Sequence, residues 1–275
     1  MTFPLGVVLE CGAVRPVDAL SMHSHPHCEL FFLLSGHRRY FVGHTIYQVE
    51  PGDLVIIPPT QLHRTTQTDA TDYKRYLLNF YAQDHSSFIR SIGQDTFDSL
   101  ISSGCICFPP SVARHVRQTL EQLERELAAP SAYAKPVISH LLQDILLQAL
   151  CHGQKKEPYH GESADKVQQV ARYISRHYDQ PITLADAAAM ATMESTYFSK
   201  RFKALTGFGF YRYLTHTRLQ AAEGLLEDTD LSIGEIAERC GFSEANHFGN
   251  VFRRWNGVSP SQYRKLPNKT KEKLL

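Results

Sequence analysis

The chain has 275 residues, of which 43% are hydrophobic and 21% charged, with a formal net charge of +1 at pH 7. These values fit a globular protein of two domains, each long enough to bury its own core. No apolar run approaches the length of a membrane span, the start MTFPLGVVLECG has no basic region or cleavage site, and the six cysteines have no framework spacing. This argues against a membrane protein and a disulfide scaffold, and the expectation is a cytoplasmic chain with reduced thiols and no membrane partner.

The first part, residues 1–110, reads as strands. Leu30–Leu34, Arg39–Val42, Ile46–Val49, Leu54–Ile57 and Lys74–Phe80 are short and rich in aromatic and branched residues, with turns such as Ser35-Gly36 and Glu50-Pro51-Gly52-Asp53 between them. Regular short strands with glycine turns favour a barrel or a sandwich, and a short helix over one end is expected within 84–103. After Pro110 the period changes. Val112, Val116, Leu120, Leu123 and Leu127 follow helical spacing, and Val137, Leu141, Ile145 and Leu150 continue it on a second helix. Residues 111–152 are therefore expected to form a helical hairpin, either a cap on the strands or a dimer interface. Residues 153–164, polar with Gly and Pro, read as a linker.

The last part, residues 165–275, is expected to be all helical and to hold two similar units. From residue 163 onward 16 Lys and Arg face 12 Asp and Glu, whereas the preceding residues carry 13 against 16, so the C-terminal part is mildly basic. Val167, Val170, Ala171 and Ile174 share one face of a first helix. Thr183 caps a helix running to Met190, and a further helix spans about Ser195–Leu205, with Phe198, Phe202 and Leu205 inward. Its other face shows Thr196, Ser199, Lys200 and Lys203, donors suited to base edges and phosphates. The pattern recurs. Ser232 caps Ile233–Cys240, and Glu244–Trp255 buries Phe248, Val251, Phe252 and Trp255 while displaying Ala245, Asn246, Gly249, Asn250 and Arg253. Phe198/Phe248, Phe202/Phe252, Gly207/Gly257 and Tyr213/Tyr263 are each fifty residues apart. A helix near Phe210–Leu226, about 25 Å long at 1.5 Å per residue, would join two reading helices set about 34 Å apart in successive major grooves. Ser259-Pro260 starts a last short helix.

On these residues, and above all on GFSEANHFGNVFRRWNGVSPSQYR (Gly241–Arg264), residues 165–266 resemble the AraC/XylS family of transcription regulators. The resemblance implies that the second helix of each unit reads DNA, through Thr196, Ser199 and Lys200 in the first and Asn246, Gly249 and Asn250 in the second. Lys203 and Arg253 on the same faces are candidates for DNA contact. The first unit departs from the family pattern. Thr192 stands where a turn glycine is common and Glu194 where a Ser or Thr caps; glutamate caps poorly, so Ser195 is expected to take that role.

His23–Gly36 and Gly52–His63 resemble the two motifs of the cupin barrel. His23, His25, Glu29, Gly36, Gly52, Pro58 and His63 match, and Thr60 replaces a glycine. The fold class expected is therefore α+β, with an N-terminal cupin-type β-barrel, a helical hairpin and a C-terminal double helix-turn-helix domain. The shared parity of His23, His25 and Glu29 would point all three one way along a strand, with His63 meeting them from a neighbour. Three imidazoles and a carboxylate suit a divalent transition metal or, without metal, a polar pocket for an effector. His27 has the same parity and is expected to line the pocket, with replacement of a ligand as the alternative. Arg38, Tyr40, Tyr47 and Tyr76 are candidates to bind a polyhydroxylated ligand.

The reading is a DNA-binding transcription regulator, not an enzyme. A small molecule in the barrel, a carbohydrate by the family resemblance, would control it. Double-stranded DNA, a second copy of the chain and RNA polymerase are the expected macromolecular partners. The alternatives are a metal or redox sensor using the histidines or Cys28, and a metal-dependent cupin enzyme.

Overall fold

The computed structural model describes residues 6–14, 25–67 and 72–266. They divide into two compact units, one within residues 1–42 and 47–158, the other within 43–46 and 159–275.

The first unit begins with seven strands: β1 Val7–Val14, β2 Cys28–Ser35, β3 Arg38–Val42, β4 Thr45–Val49, β5 Leu54–Ile57, β6 His63–Gln67 and β7 Tyr73–Phe80. A 3-10 turn (Ala82–His85) leads into helices α1 Ser86–Ile92 and α2 Gln94–Ile101, then strand β8 Cys105–Cys107. Helices α3 Pro110–Ala128 and α4 Ala134–His152 follow, with a two-residue strand β9 Gln154–Lys155 after them. The expected barrel takes the form of two sheets, one in the order β1-β7-β2-β5-β8-β9 and one in the order β4-β3-β6.

The run Glu29–Leu34 is apolar at nearly every position because both faces of β2 are covered. Phe31 and Leu33 face an interior shared with Tyr40, Val42, Val49, Val55, Ile57 and Tyr73, drawn from both sheets. Leu30 and Phe32 face the other way, into a core with Leu54, Ile56, Leu78 and the buried stripe Val116, Leu120, Leu123, Ile138, Leu142 and Ile145 of the helical hairpin. The hairpin thus packs its apolar stripe on the outside of the larger sheet.

The segment expected to be a free linker is held at its start. β9 pairs with β8, the Lys156 N–H donates to the Cys105 carbonyl at 2.8 Å, and the Lys156 ammonium binds the Asp53 carboxylate. Gly153, just before it, is required by close approach: a Cβ there would lie 2.4 Å from the Ala149 carbonyl oxygen and 2.6 Å from Ile106 Cγ2.

The second unit holds α5 Glu162–His177, α6 Leu184–Met190, α7 Ser195–Thr206, α8 Phe210–Asp228, α9 Ile233–Arg239, α10 Ala245–Asn256 and α11 Pro260–Lys265. Four of these helices start on side-chain caps. Thr183, Ser232 and Ser259 each form a reciprocal capping box, with Asp186, Glu235 and Gln262 respectively. The fourth corrects the sequence reading: Glu194 itself caps α7, its carboxylate accepting from the Tyr197 N–H at 2.9 Å, so Ser195 is the first helical residue. Two aromatic clusters fill the unit. Phe198, Phe202, Phe210 and Tyr213 interlock around α7, and Phe248, Phe252 and Tyr263 do so around α10. Among the described residues no helix is long and apolar enough to cross a membrane.

Candidate functional site

A polar cluster lies at one end of the interior between the two sheets. Glu29, on β2, is buried, and its carboxylate reaches across to the smaller sheet. Oε1 accepts from the Tyr40 hydroxyl at 3.0 Å and lies 3.7 Å from His63 Nε2, while Oε2 lies 3.0 Å from His25 Nε2. Burial by itself would raise the Glu29 pKa, but the His63 and His25 imidazoles and the Tyr40 hydroxyl hold it down at about 2, so the group is a carboxylate. In both histidines Nδ1 faces a backbone carbonyl: His27 at 2.9 Å for His25, and Gln61 at 2.8 Å for His63. With an Nδ1 proton donated to each carbonyl, both rings turn Nε2 toward Glu29, the orientation that outer carbonyls impose on metal-bound histidines.

The donor atoms of His25, Glu29 and His63 all lie within 4.8 Å of one another. Two imidazoles and one carboxylate at that separation fit a divalent transition metal. His23 lies outside the described residues. His25 precedes β2 and does not lie on it, so the parity argument for its direction fails; it reaches Glu29 from the segment before the strand. His27 stacks on His25, ring centroids 3.8 Å apart, and burial followed by the His25 charge lowers its pKa to about 4.

Farther along the same interior, Arg38 is fully buried with its guanidinium 3.8 Å over the Tyr73 ring. Tyr47 is partly buried in the same core. Tyr76 is elsewhere, in the core under the helical hairpin, where its hydroxyl donates to Glu124 at 2.8 Å. Its place as a ligand residue is corrected: Tyr76 has the opposite parity to Tyr73 on β7. Cys28 is fully buried and its thiol is pushed up to about 12 by burial, which makes it a poor redox centre.

In the second unit, Thr196, Lys200 and Lys203 are exposed and Ser199 is half-buried on α7; Asn246, Asn250 and Arg253 are exposed and Gly249 half-buried on α10. Each set falls on one helix face, and the two sets correspond at the same fifty-residue offset as the buried phenylalanines. A Cβ on Gly249 would meet nothing, so no packing demand keeps a glycine there. The sequence reading passed over Tyr197 and His247, both exposed on these faces and themselves fifty apart. The offset that aligned the buried positions would have found them. It also aligns Thr206 with Asn256, both fully buried at the ends of α7 and α10. Asn256 donates to Glu223 of α8 at 3.0 Å, and burial raises the Glu223 pKa to about 7.

Two duplicated helix pairs, each displaying a polar helix face, joined to a sheet domain with a buried polar cluster, define a transcription regulator with a DNA-binding part and a ligand-binding part. The comparisons agree. Residues 6–151 match the AraC-like ligand binding domain and residues 187–266 a helix-turn-helix domain. The chain belongs to the AraC family of transcription regulators. Among its relatives is the HTH-type transcriptional activator RhaR of Salmonella schwarzengrund (strain CVM19633), 24% identical over 263 residues, which cover 93% of this chain and 90% of that protein. Solved structures that resemble it include the C-terminal domain of AraT, a response regulator from Geobacillus stearothermophilus, at 37% identity and TM-score 0.36, covering 36% of this chain and 84% of that one. The DNA-binding domain of AdpA in complex with a target DNA is 34% identical, with TM-score 0.35, and covers 36% and 89%.

Proposed function

We propose that the chain is a ligand-responsive regulator in which a small polyhydroxylated molecule, a carbohydrate, occupies the interior of the first unit and controls the use of the two reading helices. The observation that carries this reading is the Glu29 cluster: a buried carboxylate, a tyrosine hydroxyl and two imidazoles converge in an otherwise apolar interior between two sheets, the composition of a small-molecule site. Arg38, two residues before Tyr40 on the same strand, adds a guanidinium along the interior. A divalent metal, if held, would be ligated by His25, Glu29 and His63 and would supply a Lewis-acidic anchor for ligand oxygens. The spacing within that trio also supports the second reading, direct metal sensing.

On the DNA side, Thr196, Ser199 and Lys200 take one major groove and Asn246, Gly249 and Asn250 the next, while Lys203 and Arg253 hold phosphates. The protein acts in the cytoplasm as a homodimer through the helical hairpin and meets RNA polymerase at its promoter. Selecting DNA with the purified protein, with and without candidate sugars and with and without chelator, tests this. Enrichment of a two-part site whose affinity changes with one sugar supports the carbohydrate reading. A response to chelator alone transfers the signal to the metal. No change under any addition removes the ligand role.

A further inference from the structure

We propose that the outer face of α5 is a docking site for an acidic segment of a second protein. A groove of about 460 Å³ is lined by Gln169, Arg172, Tyr173, Arg176 and His177 of α5 and by Met190 of α6. The five α5 residues follow helical spacing on the face opposite Val167, Val170, Ala171 and Ile174, which are buried in the unit's core. The Tyr173 and His177 rings lie 4.4 Å apart and tilted by 32°, which stands the phenol up as one wall.

The charges on this face are uncompensated. The first turn of α5 pairs Lys166 with Glu162, and Asp165 with His160. Among the described residues neither Arg172 nor Arg176 has a carboxylate within ion-pair distance. Two like charges four residues apart repel each other on a helix surface. The negative end of the helix dipole accounts for Arg176 and His177, which stand in the last turn. It does not account for Arg172 a turn earlier, nor for an exposed tyrosine beside a half-buried methionine wall.

Arginine, tyrosine and methionine, with no lysine or acidic residue, are what the centre of a protein interface contains. Guanidinium groups also hold carboxylates by paired hydrogen bonds, which lysine cannot do. The reading helix α7 carries lysines toward its polar face, whereas this face of α5 carries arginines. The occupant that fits presents two carboxylates one helical turn apart, to meet Arg172 and Arg176, with an apolar side chain between them against Tyr173 and Met190.

The test uses the full chain and two fluorescein-labelled helical peptides. One has Glu at positions four apart with Leu between them; in the other both Glu are Gln. Anisotropy titrations should show the Glu peptide binding about tenfold or more tightly than its Gln partner, and the Arg172→Ala/Arg176→Ala variant losing that preference. Tyr173→Ala should weaken both peptides. Binding of the double variant to a random duplex, and its salt slope, should be unchanged. Equal affinity of wild type and double variant for the Glu peptide overturns the proposal. So does a salt slope lowered by about two in the double variant, which would assign the arginines to duplex phosphates.

Discussion

Glu223 is the side chain whose placement costs this molecule most visibly. It sits buried on α8 with one neutral partner, Asn256, and no cation within ion-pair distance among the described residues. Its folded pKa, raised to about 7, lies above its ordinary value. The folded state therefore holds the proton more tightly, and the stability it contributes is fully present below about pH 4.5 and lost as pH rises through 7. Replacing Glu223 by Gln keeps the acceptor for Asn256 and removes the charge. The melting-temperature gain of Glu223→Gln over the parent should be small at pH 4 and grow to the equivalent of about 3 kcal/mol by pH 8.5. A gain that does not change with pH would contradict this account of the buried carboxyl.

On the reading faces, Asn250→Ala should weaken binding to the selected site by about 1–3 kcal/mol and relax one base position, because an asparagine pairs with adenine through two hydrogen bonds. Lys203→Ala should weaken binding to all sequences alike and lower the salt slope by about one. Mobility shifts across salt concentrations separate the two. Gly249→Ala should move stability and binding in opposite directions. A Cβ there meets nothing and gains up to about 1 kcal/mol of helix propensity, yet it fills the space left for the groove wall. A variant both more stable and equally tight on DNA would end the argument that Gly249 serves close approach.

At the scale of elements, the two helix-turn-helix units solve one geometric problem in different ways. Gly241 turns the second with φ of 76°, and a Cβ there would lie 2.8 Å from the Tyr178 and Asp179 carbonyl oxygens. In the first unit Thr192 takes the left-handed conformation with φ of 52°, its hydroxyl donating to the Ala191 carbonyl at 2.7 Å. Thr192→Gly should therefore stabilise the helical C-terminal part by about 1 kcal/mol, and Gly241→Ala should destabilise it by more, since it adds both strain and a clash. Thermal melts of the two variants, one rising and one falling, check the claim.

Helical elements were legible because apolar spacing, caps and the fifty-residue offset are local signals. The Thr183 and Ser232 caps and the buried Phe198, Phe202, Phe248 and Phe252 follow from them. What could not be read was set by distant partners. β8 and β9 are too short to carry a period, and each exists because a neighbouring strand pairs with it. Glu194 caps because its carboxylate reaches one N–H, against the general preference for smaller side chains. Of the clustered side chains, His25, Glu29 and His63 came from motif spacing. The Tyr40–Glu29 hydrogen bond depends on how two sheets face each other, which alternation along one strand does not determine.

At the scale of the whole molecule, regulation requires that a ligand bind two states of the chain unequally, and a ligand with equal affinity for both shifts nothing. Moving the population from about 1:99 to 99:1 takes about 5.5 kcal/mol of differential affinity. The segment between β9 and α5 is where the two units are joined in sequence, and its first residue, Lys156, is fastened to Asp53. Lys156→Ala should leave Asp53 without its cation and free this junction, which limited proteolysis between residues 153 and 162 would register as faster cleavage. Unchanged cleavage would show that pairing of β9 alone holds the strap.

The central claim is that two helix faces in one chain read one duplex in consecutive turns. Hydroxyl-radical footprinting of the purified protein on its selected site measures this directly. The account requires two protected regions on one face of the duplex, about 34 Å apart, with Lys200→Ala weakening one and Asn250→Ala the other. A single protected region that both substitutions weaken equally would contradict it.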